Sequence, residues 1–399
     1  MIALRHAAVL TAAVTLFASG VGAQSAPPIR PLGAVLATSS DSIGVVRSIR
    51  PLSDGRVIVN DPAGQRLLLL DASLEHVTHI ADTTAATSRL YGRGLLALMR
   101  FAGDSSIVLD QITKAYLVID PAGKVTRVIS PPGGSNPLLA LRFGDRQLGT
   151  PDGYDGAGHL LFVAQSPYFL GMLPKGYIGD TLMVGPDSTA ILRQRIGVLG
   201  TDTIVSLKAP RLRQAVTKRA NGGNGHSAFN PMPAGDDWTL LSDGTLAVIR
   251  VSDYHVDWIT PDRRITSGPK VPTQWVKLTE SQKVAIMDSV RSARLAEISH
   301  AASGPSAAAP SYVTPSDLPD YRPPFVAGFA RADADNHVWV RENENPMMGA
   351  VYDVIDRDGH LIDRVKLAAG SNLVGFGPGV AYLTSVAQGI VHLTRVALR

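Results

Sequence analysis

Short apolar runs separated by turn residues recur along almost the whole chain. PLSDGRVIVND (residues 51–61) and LLSDGTLAVIR (residues 240–250) are the clearest pair. In each, Asp-Gly marks a tight turn, because glycine accepts positive φ and Asp tolerates turn geometry. An aliphatic strand follows: Val57-Ile58-Val59 in one, Leu246-Ala247-Val248-Ile249 in the other. A polar break leads to another apolar strand, residues 67–70 before Asp71 and residues 255–259 before Pro261-Asp262. Looser copies are FAGDSSIVLD (101–110), YDGAGHLLFVAQ (154–165), ADADNHVWVRE (332–342) and GFGPGVAYLTS (375–385).

Six units result, each reading strand, turn, strand, loop, strand, turn, strand. The second strand of each is apolar at most positions, as for a strand covered on both faces. Four-stranded units of roughly 40 residues are the pattern of propeller blades, which stack around an axis because no blade buries both its faces alone. The prediction is an all-β fold, a six-bladed β-propeller, with blades near residues 40–80, 90–130, 148–207, 236–270, 325–367 and 370–399. The last unit supplies only about three strands, and residues 30–38 have no partner in the first. Pairing them as the outer strand of the last blade closes the ring and removes an aggregation-prone edge.

Three insertions interrupt the pattern. Residues 166–187 carry Tyr168, Phe169, Met172 and Tyr177 among glycines and prolines, and read as a loop folded on its own apolar cluster or as the lining of a pocket. Residues 208–235 carry Lys208, Arg211, Arg213, Lys218 and Arg219 with no acid, and read as a solvated, flexible basic loop or an anion-attracting one. Residues 271–324 form a short helical insertion between blades four and five. Thr279 and Gln282 have capping-box spacing for a helix over 280–298, which is either a lid on the channel or a decoration of the rim.

Composition changes this picture in two places. Residues 1–23 read as a signal peptide: Arg5 and His6 lead, an uncharged stretch follows, and Val21-Gly22-Ala23 offers small residues before a cut at Gln24. The alternative, a membrane anchor, is disfavoured because a span needs ~20 apolar residues. The expected mature chain, residues 24–399, is therefore exported, periplasmic or extracellular, with no stable membrane span. The absence of cysteine removes disulfides, thiolate metal sites and cysteine nucleophiles together. A net charge of +4 is too mild to indicate nucleic acid.

Candidate chemistry is sparse. There is no G-x-S-x-G elbow and no H-E-x-x-H. His76 and His79 fall on opposite faces of an alternating strand. Asp333, Asp335 and Glu344 match three positions of a calcium loop, but Val338 stands where glycine is required, so a turn explains them better. The remaining set is the residues at the ends of the second strands: Asn60, Asp61, Asp110, Gln165, Arg250, Arg341, Glu342 and Ser385. By propeller analogy they ring the channel, where they hold a small polar ligand or pair with one another.

The D-G-x-apolar run and the following D-x-x-G of each unit resemble NHL-repeat-like six-bladed β-propellers. WTLLSDGTLAVIRVSDYHVDWITPD, KLTESQ, DADNHVWVRE and VYDVIDRDGHLIDRV are similar to segments of a group of exported bacterial six-bladed propellers without an assigned activity. The resemblance covers roughly residues 30–399 and speaks to fold more than function. Asp335-Asn336 stands in place of the usual Asp-Gly, and Asn keeps the turn open to the left-handed conformation. Two functions follow as expectations. One is a non-catalytic scaffold for a small polar ligand or an unknown protein, without a cofactor. The other is a lactonase-like hydrolase or lyase with a divalent cation held by Asn60, Asp61, Asp110 and Glu342. A third reading, a subunit of an envelope complex, uses the loops at 208–235 and 270–324.

Overall fold

A computed structural model of the chain describes residues 26–40, 43–82, 95–110, 115–130, 142–143, 146–147, 151–164, 173–300, 311–343, 349–387 and 389–399. The leader (residues 1–23), Gln165, Tyr168, Phe169, Met172 and Glu344 lie outside the described residues.

The repeated units form antiparallel sheets in chain order. Sheet one is Ser48–Pro51, Val57–Asp61, Arg66–Leu70 and Val77–Ala81. Sheet two is Leu95–Arg100, Ser106–Asp110, Tyr116–Ile119 and Val125–Ile129. Sheet three is Gly153–Tyr154, His159–Val163, Ser188–Arg195 and Asp202–Lys208. Sheet four is Asp237–Leu240, Leu246–Arg250, His255–Ile259 and Ile265–Ser267. Sheet five is Arg331–Ala332, Val338–Arg341, Val351–Ile355 and Leu361–Lys366, with Ile29–Pro31 added in parallel outside the last strand. Sheet six is Ser371–Gly377, Val380–Ala387 and Ile390–Ala397, and its outer strand is Val35–Thr38 from the other end of the chain.

Second and third strands are buried along their length, as in Val57–Asp61, Ser106–Asp110 and Val351–Ile355, because a neighbouring sheet covers each face. Outer strands such as Ile265–Ser267 stay exposed. A separate apolar cluster fills each interface between successive sheets. Ile58 and Leu69 of sheet one meet Val108 and Leu117 of sheet two, and Trp238 and Val248 of sheet four meet Leu161 and Ile191 of sheet three. The sixth sheet packs on the first in the same way, Tyr382 and Leu393 against Val59 and Leu68. The fold is a β-propeller, all-β apart from one α-helix and a short 3-10 turn among the described residues.

The two LSDG turns explain each other. Leu52 and Leu241 are buried anchors, and Gly55 and Gly244 take φ of 87° and 83°. Their surroundings differ. A Cβ on Gly244 would lie 2.7 Å from the Asp155 carbonyl oxygen of sheet three, whereas one on Gly55 meets only the Ala72 methyl at 3.3 Å. Gly244→Ala is therefore expected to cost roughly 2–3 kcal/mol and Gly55→Ala roughly 1 kcal/mol, on the scale of a strained left-handed residue with and without a clash. Urea unfolding of the two variants checks the order; equal losses would show that the close approach is immaterial.

The insertions do not form separate loops. Gly179–Val184 from the first pairs with Arg213–Arg219 from the second, and Gly222–Ser227 completes a three-stranded side sheet. Residues 208–235 thus contain a hairpin rather than a flexible loop, because Gln214-Ala215-Val216 alternates as a strand requires and Gly222 takes the positive φ of the turn. Its basic residues find acids from elsewhere in the fold: Arg213 pairs with Asp317 and Arg219 with Asp180. The third insertion carries the helix Glu280–His300, whose Thr279 and Gln282 make the reciprocal capping bonds their spacing predicts. Met287 on this helix is buried with Leu278, Val313 and Leu318 against Ala228 and Met232 of the second insertion. The helix is therefore a packed decoration shared by two insertions. No helix among the described residues is long and apolar enough to cross a membrane.

Candidate functional site

The described residues at the ends of the second strands each have partners or surroundings of their own. Asp61 is fully buried and accepts from the backbone N–H of Gly44, Val45 and Gly64 and from Arg66 Nε, at 2.9–3.0 Å. Burial favours its neutral form, but these bonds outweigh burial and hold its carboxyl below the ordinary range. Asn60 and Asp110 are buried, each with polar partners. Arg250 binds Asp257 at 2.7 Å and Asp236 at 2.9 Å; burial opposes its charge, yet these two acids raise its pKa. The Arg341 guanidinium lies over the Phe329 ring at 4.8 Å. Ser385 lies in sheet six, in a separate apolar groove with Ile29 and Val396.

These placements bear on the cation expected for the lactonase-like reading. Asp61, Asp110 and Glu342 do not bring their ligand atoms together among the described residues, and the oxygens of Asp61 are already committed. This donor set does not fit a metal centre. The described residues that do cluster, Asp356, Asp358 and His360, form a surface turn. Asp333 likewise accepts from Asp335 N, His337 N and Trp339 Nε1, which accounts for it as a turn and packing residue. His76 and His79 bind different aspartates, Asp71 and Asp82.

Glu342 is the exception. It follows the second strand of sheet five and is bridged to Phe325, where the third insertion rejoins the propeller. Arg364, on the fourth strand, grips it with contacts of 2.6, 2.8 and 2.9 Å. Between them, on the third strand, lies Asp353, whose register partners are Val340 and Arg364. Asp353 lies 3.3 Å from Arg364 and accepts a 2.6 Å hydrogen bond from the Tyr254 hydroxyl of sheet four. Tyr254 is buried and held at φ 49°, an unusual conformation for an aromatic residue. Its carbonyl accepts from Val271 N and its ring packs on Phe325 at 5.4 Å, so both ends of the third insertion fix it.

Two carboxyls therefore share one guanidinium. Glu342 takes the bidentate grip. Burial, the Glu342 charge and a hydrogen bond to Glu342 push the Asp353 carboxyl up to about 8, so it carries its proton at neutral pH. Burial, with the neighbouring Asp353, also raises the Tyr254 phenol. Asp257 holds the equivalent place in sheet four, in HVDWI against VYDVI, and shows what differs. Burial disfavours its charge too, but Ser267, Arg250 and His255 all favour the ionised form and its pKa is lowered.

Glu342, Asp353 and Arg364 line a cleft of about 780 Å³ between sheet five and the third insertion. Thr273, Gln274 and Asn343 contribute to its walls. Next to these, Trp275 and Tyr321 meet edge to face at 6.5 Å and remain 41% and 46% exposed. Tyr254, Asp353 and Arg364 were not among the residues singled out from sequence. The signal was present for Asp353, a lone carboxylate inside the apolar run VYDVI.

No protein-family model matches the chain, and no curated protein sequence does. Among solved structures it is similar to a DUF4221-family protein from Bacteroides vulgatus (10% identity, TM-score 0.48, covering 93% of this chain and 98% of that one). It is also similar to a gluconolactonase from Xanthomonas campestris (11%, 0.38, 94% and 99%) and a calcium-binding regucalcin from Agrobacterium tumefaciens (12%, 0.35, 94% and 97%). The chain's own sheets and the clusters between them carry the conclusion that it is a β-propeller.

Proposed function

We propose that the chain is an exported six-bladed propeller that binds a small, hydroxyl-rich ligand in the cleft between sheet five and the third insertion. The six four-stranded units, the packing of the sixth on the first and the pairing of Val35–Thr38 with Ile390–Ala397 support a closed ring of six blades. The character of residues 1–23 supports export. The observation that carries the binding reading is the acid pair. The side-by-side carboxyls of Asp353, which carries its proton, and Glu342 suit a hydroxyl, which both donates and accepts. Thr273, Gln274 and Asn343 offer the same dual capacity. The exposed Trp275 and Tyr321 supply apolar faces of the size of a sugar ring.

The test is a thermal-shift and ligand-observed NMR screen with monosaccharides, polyols and sugar acids. A binder whose signal is lost in Asp353→Leu and kept in Asp353→Asn supports the cleft. A panel without a binder, or one indifferent to both variants, removes this reading.

The same protonated carboxyl favours a second reading, general acid catalysis without a metal, in a hydrolase or lyase. Its mark would be turnover that disappears as the pH rises through about 8, where Asp353 loses its proton.

A further inference from the structure

The channel along the axis is a different environment from this cleft. One cavity of about 670 Å³ touches the first strand of every sheet, through Arg50, Arg100, Tyr154, Leu240, Ala332 and Phe376 in turn. It lies toward the hairpins that join first and second strands, since Ser53, Asp104 and Ser242 also line it. Two arginines there are only partly satisfied. Arg50 donates Nη1 to the Pro51 carbonyl and Nη2 to Asp104 at 3.1 Å, while its Nε is buried without an acceptor. Arg100 reaches from sheet two to the Ser242 carbonyl of sheet four, so it ends on a neutral oxygen. Burial lowers the pKa of both, and the charge of Arg100 lowers that of Arg50 further. Two like charges are held near each other, short of water and short of acceptors.

The acids nearby do not resolve this. Asp104 is shared between Arg50 and the backbone and hydroxyl of Ser53. Asp243 attracts Arg100 but is engaged by Arg357 at 2.9 Å. Asp333 is occupied by its own turn, and Asp152 lies exposed in the lining. Two further arginines, Arg47 and Arg331, line the same cavity, each with a partner of its own.

We infer that this end of the channel binds a small molecule by an oxyanion group seated between Arg50 and Arg100. A phosphate or carboxylate offers several acceptor lone pairs to planar guanidinium forks, and its charge offsets the mutual repulsion. A neutral ligand would do only the first of these. The cavity is much larger than a bare anion, so the remainder of the ligand extends along the channel.

Inorganic phosphate and acetate are the probes, titrated at ionic strength held constant with chloride. A saturable rise in melting temperature in the millimolar range is expected for at least one of them, and the tighter one names the group. Arg100→Gln abolishes the rise. Arg50→Lys keeps the charge and the Asp104 pair but loses Nε, and weakens binding about tenfold, the size of a charge-assisted hydrogen bond. If Arg100→Gln does not fold, ¹⁵N-arginine spectra of the unaltered protein decide, because the Arg50 Nε–H signal must move as the anion is added. Responses no larger than chloride alone, responses equal in the variants, or an unmoved Arg50 signal each overturn the site.

Discussion

Deleting residues 29–38 lowers stability by about 5 kcal/mol or more, a large share of the ~5–15 kcal/mol that holds an ordinary domain folded. The segment is short, but it completes two sheets. Val35–Thr38 is the outer strand of sheet six, against Ile390–Ala397, and Ile29–Pro31 runs parallel to Leu361–Lys366 in sheet five. Between them Leu32 packs into the apolar cluster joining sheets five and six, and Ala37 into the cluster joining six and one. Arg30 adds a pair with Asp363 at 2.5 Å and a bond to the Leu398 carbonyl. Removal leaves Ile390–Ala397 as an open edge, so the truncated protein also aggregates more readily. Chemical unfolding and light scattering of the truncation against the mature chain measure both effects. Unchanged unfolding would show that the ring does not depend on this closure.

The second large effect is a dependence on pH that runs opposite to the usual one for an aspartate. Burial and the neighbouring Glu342 push the Asp353 carboxyl up to about 8 in the folded protein, against an ordinary 3.8. Between these limits the folded chain keeps a proton that the unfolded chain releases, so stability is fullest below about pH 4 from this group and is lost as the pH rises to about 8. The loss across that range is on the order of 5 kcal/mol. Asp353→Asn keeps the shape and a donor for Glu342 but does not titrate. It is expected to flatten this part of the curve and to be more stable than the parent at pH 9. Parallel curves for the two proteins would mean that Asp353 is ionised throughout and that Glu342 and Arg364 accommodate it.

Much of the architecture was legible because turns and strands are local. Leu52-Ser53-Asp54-Gly55 and Leu241-Ser242-Asp243-Gly244 both make the hairpins their residues imply. Asn336, standing where glycine was usual, takes φ 64°. The helix start at Thr279 was equally local. What the sequence did not reveal was pairing between insertions. Gly179–Val184 meets Arg213–Arg219 across sheet three, and nothing near either segment announces the other. The partners of the strand-end residues were hidden for a related reason. Analogy placed the strand-end residues in a ring, but each side chain's direction depends on the sheet beside it, so Asp61 and Arg250 are spent on local bonds. Glu342 lines the cleft together with partners 11 and 22 residues farther on, Asp353 and Arg364.

The order in which the chain can assemble follows from the pairing of Ile43 with Val391 and of Val35–Thr38 with Ile390–Ala397. Sheets one to four find their strands within one stretch of sequence each, and sheet five takes only its added outer strand from elsewhere, so these can form as soon as their own stretch is available. The sixth must wait for both ends of the described chain, and closing so long a loop is slow. Until then the first and fifth sheets each present an uncovered apolar face. Refolding experiments should show one late phase that absorbs most of the tryptophan and tyrosine change around Trp339, Tyr352 and Tyr382.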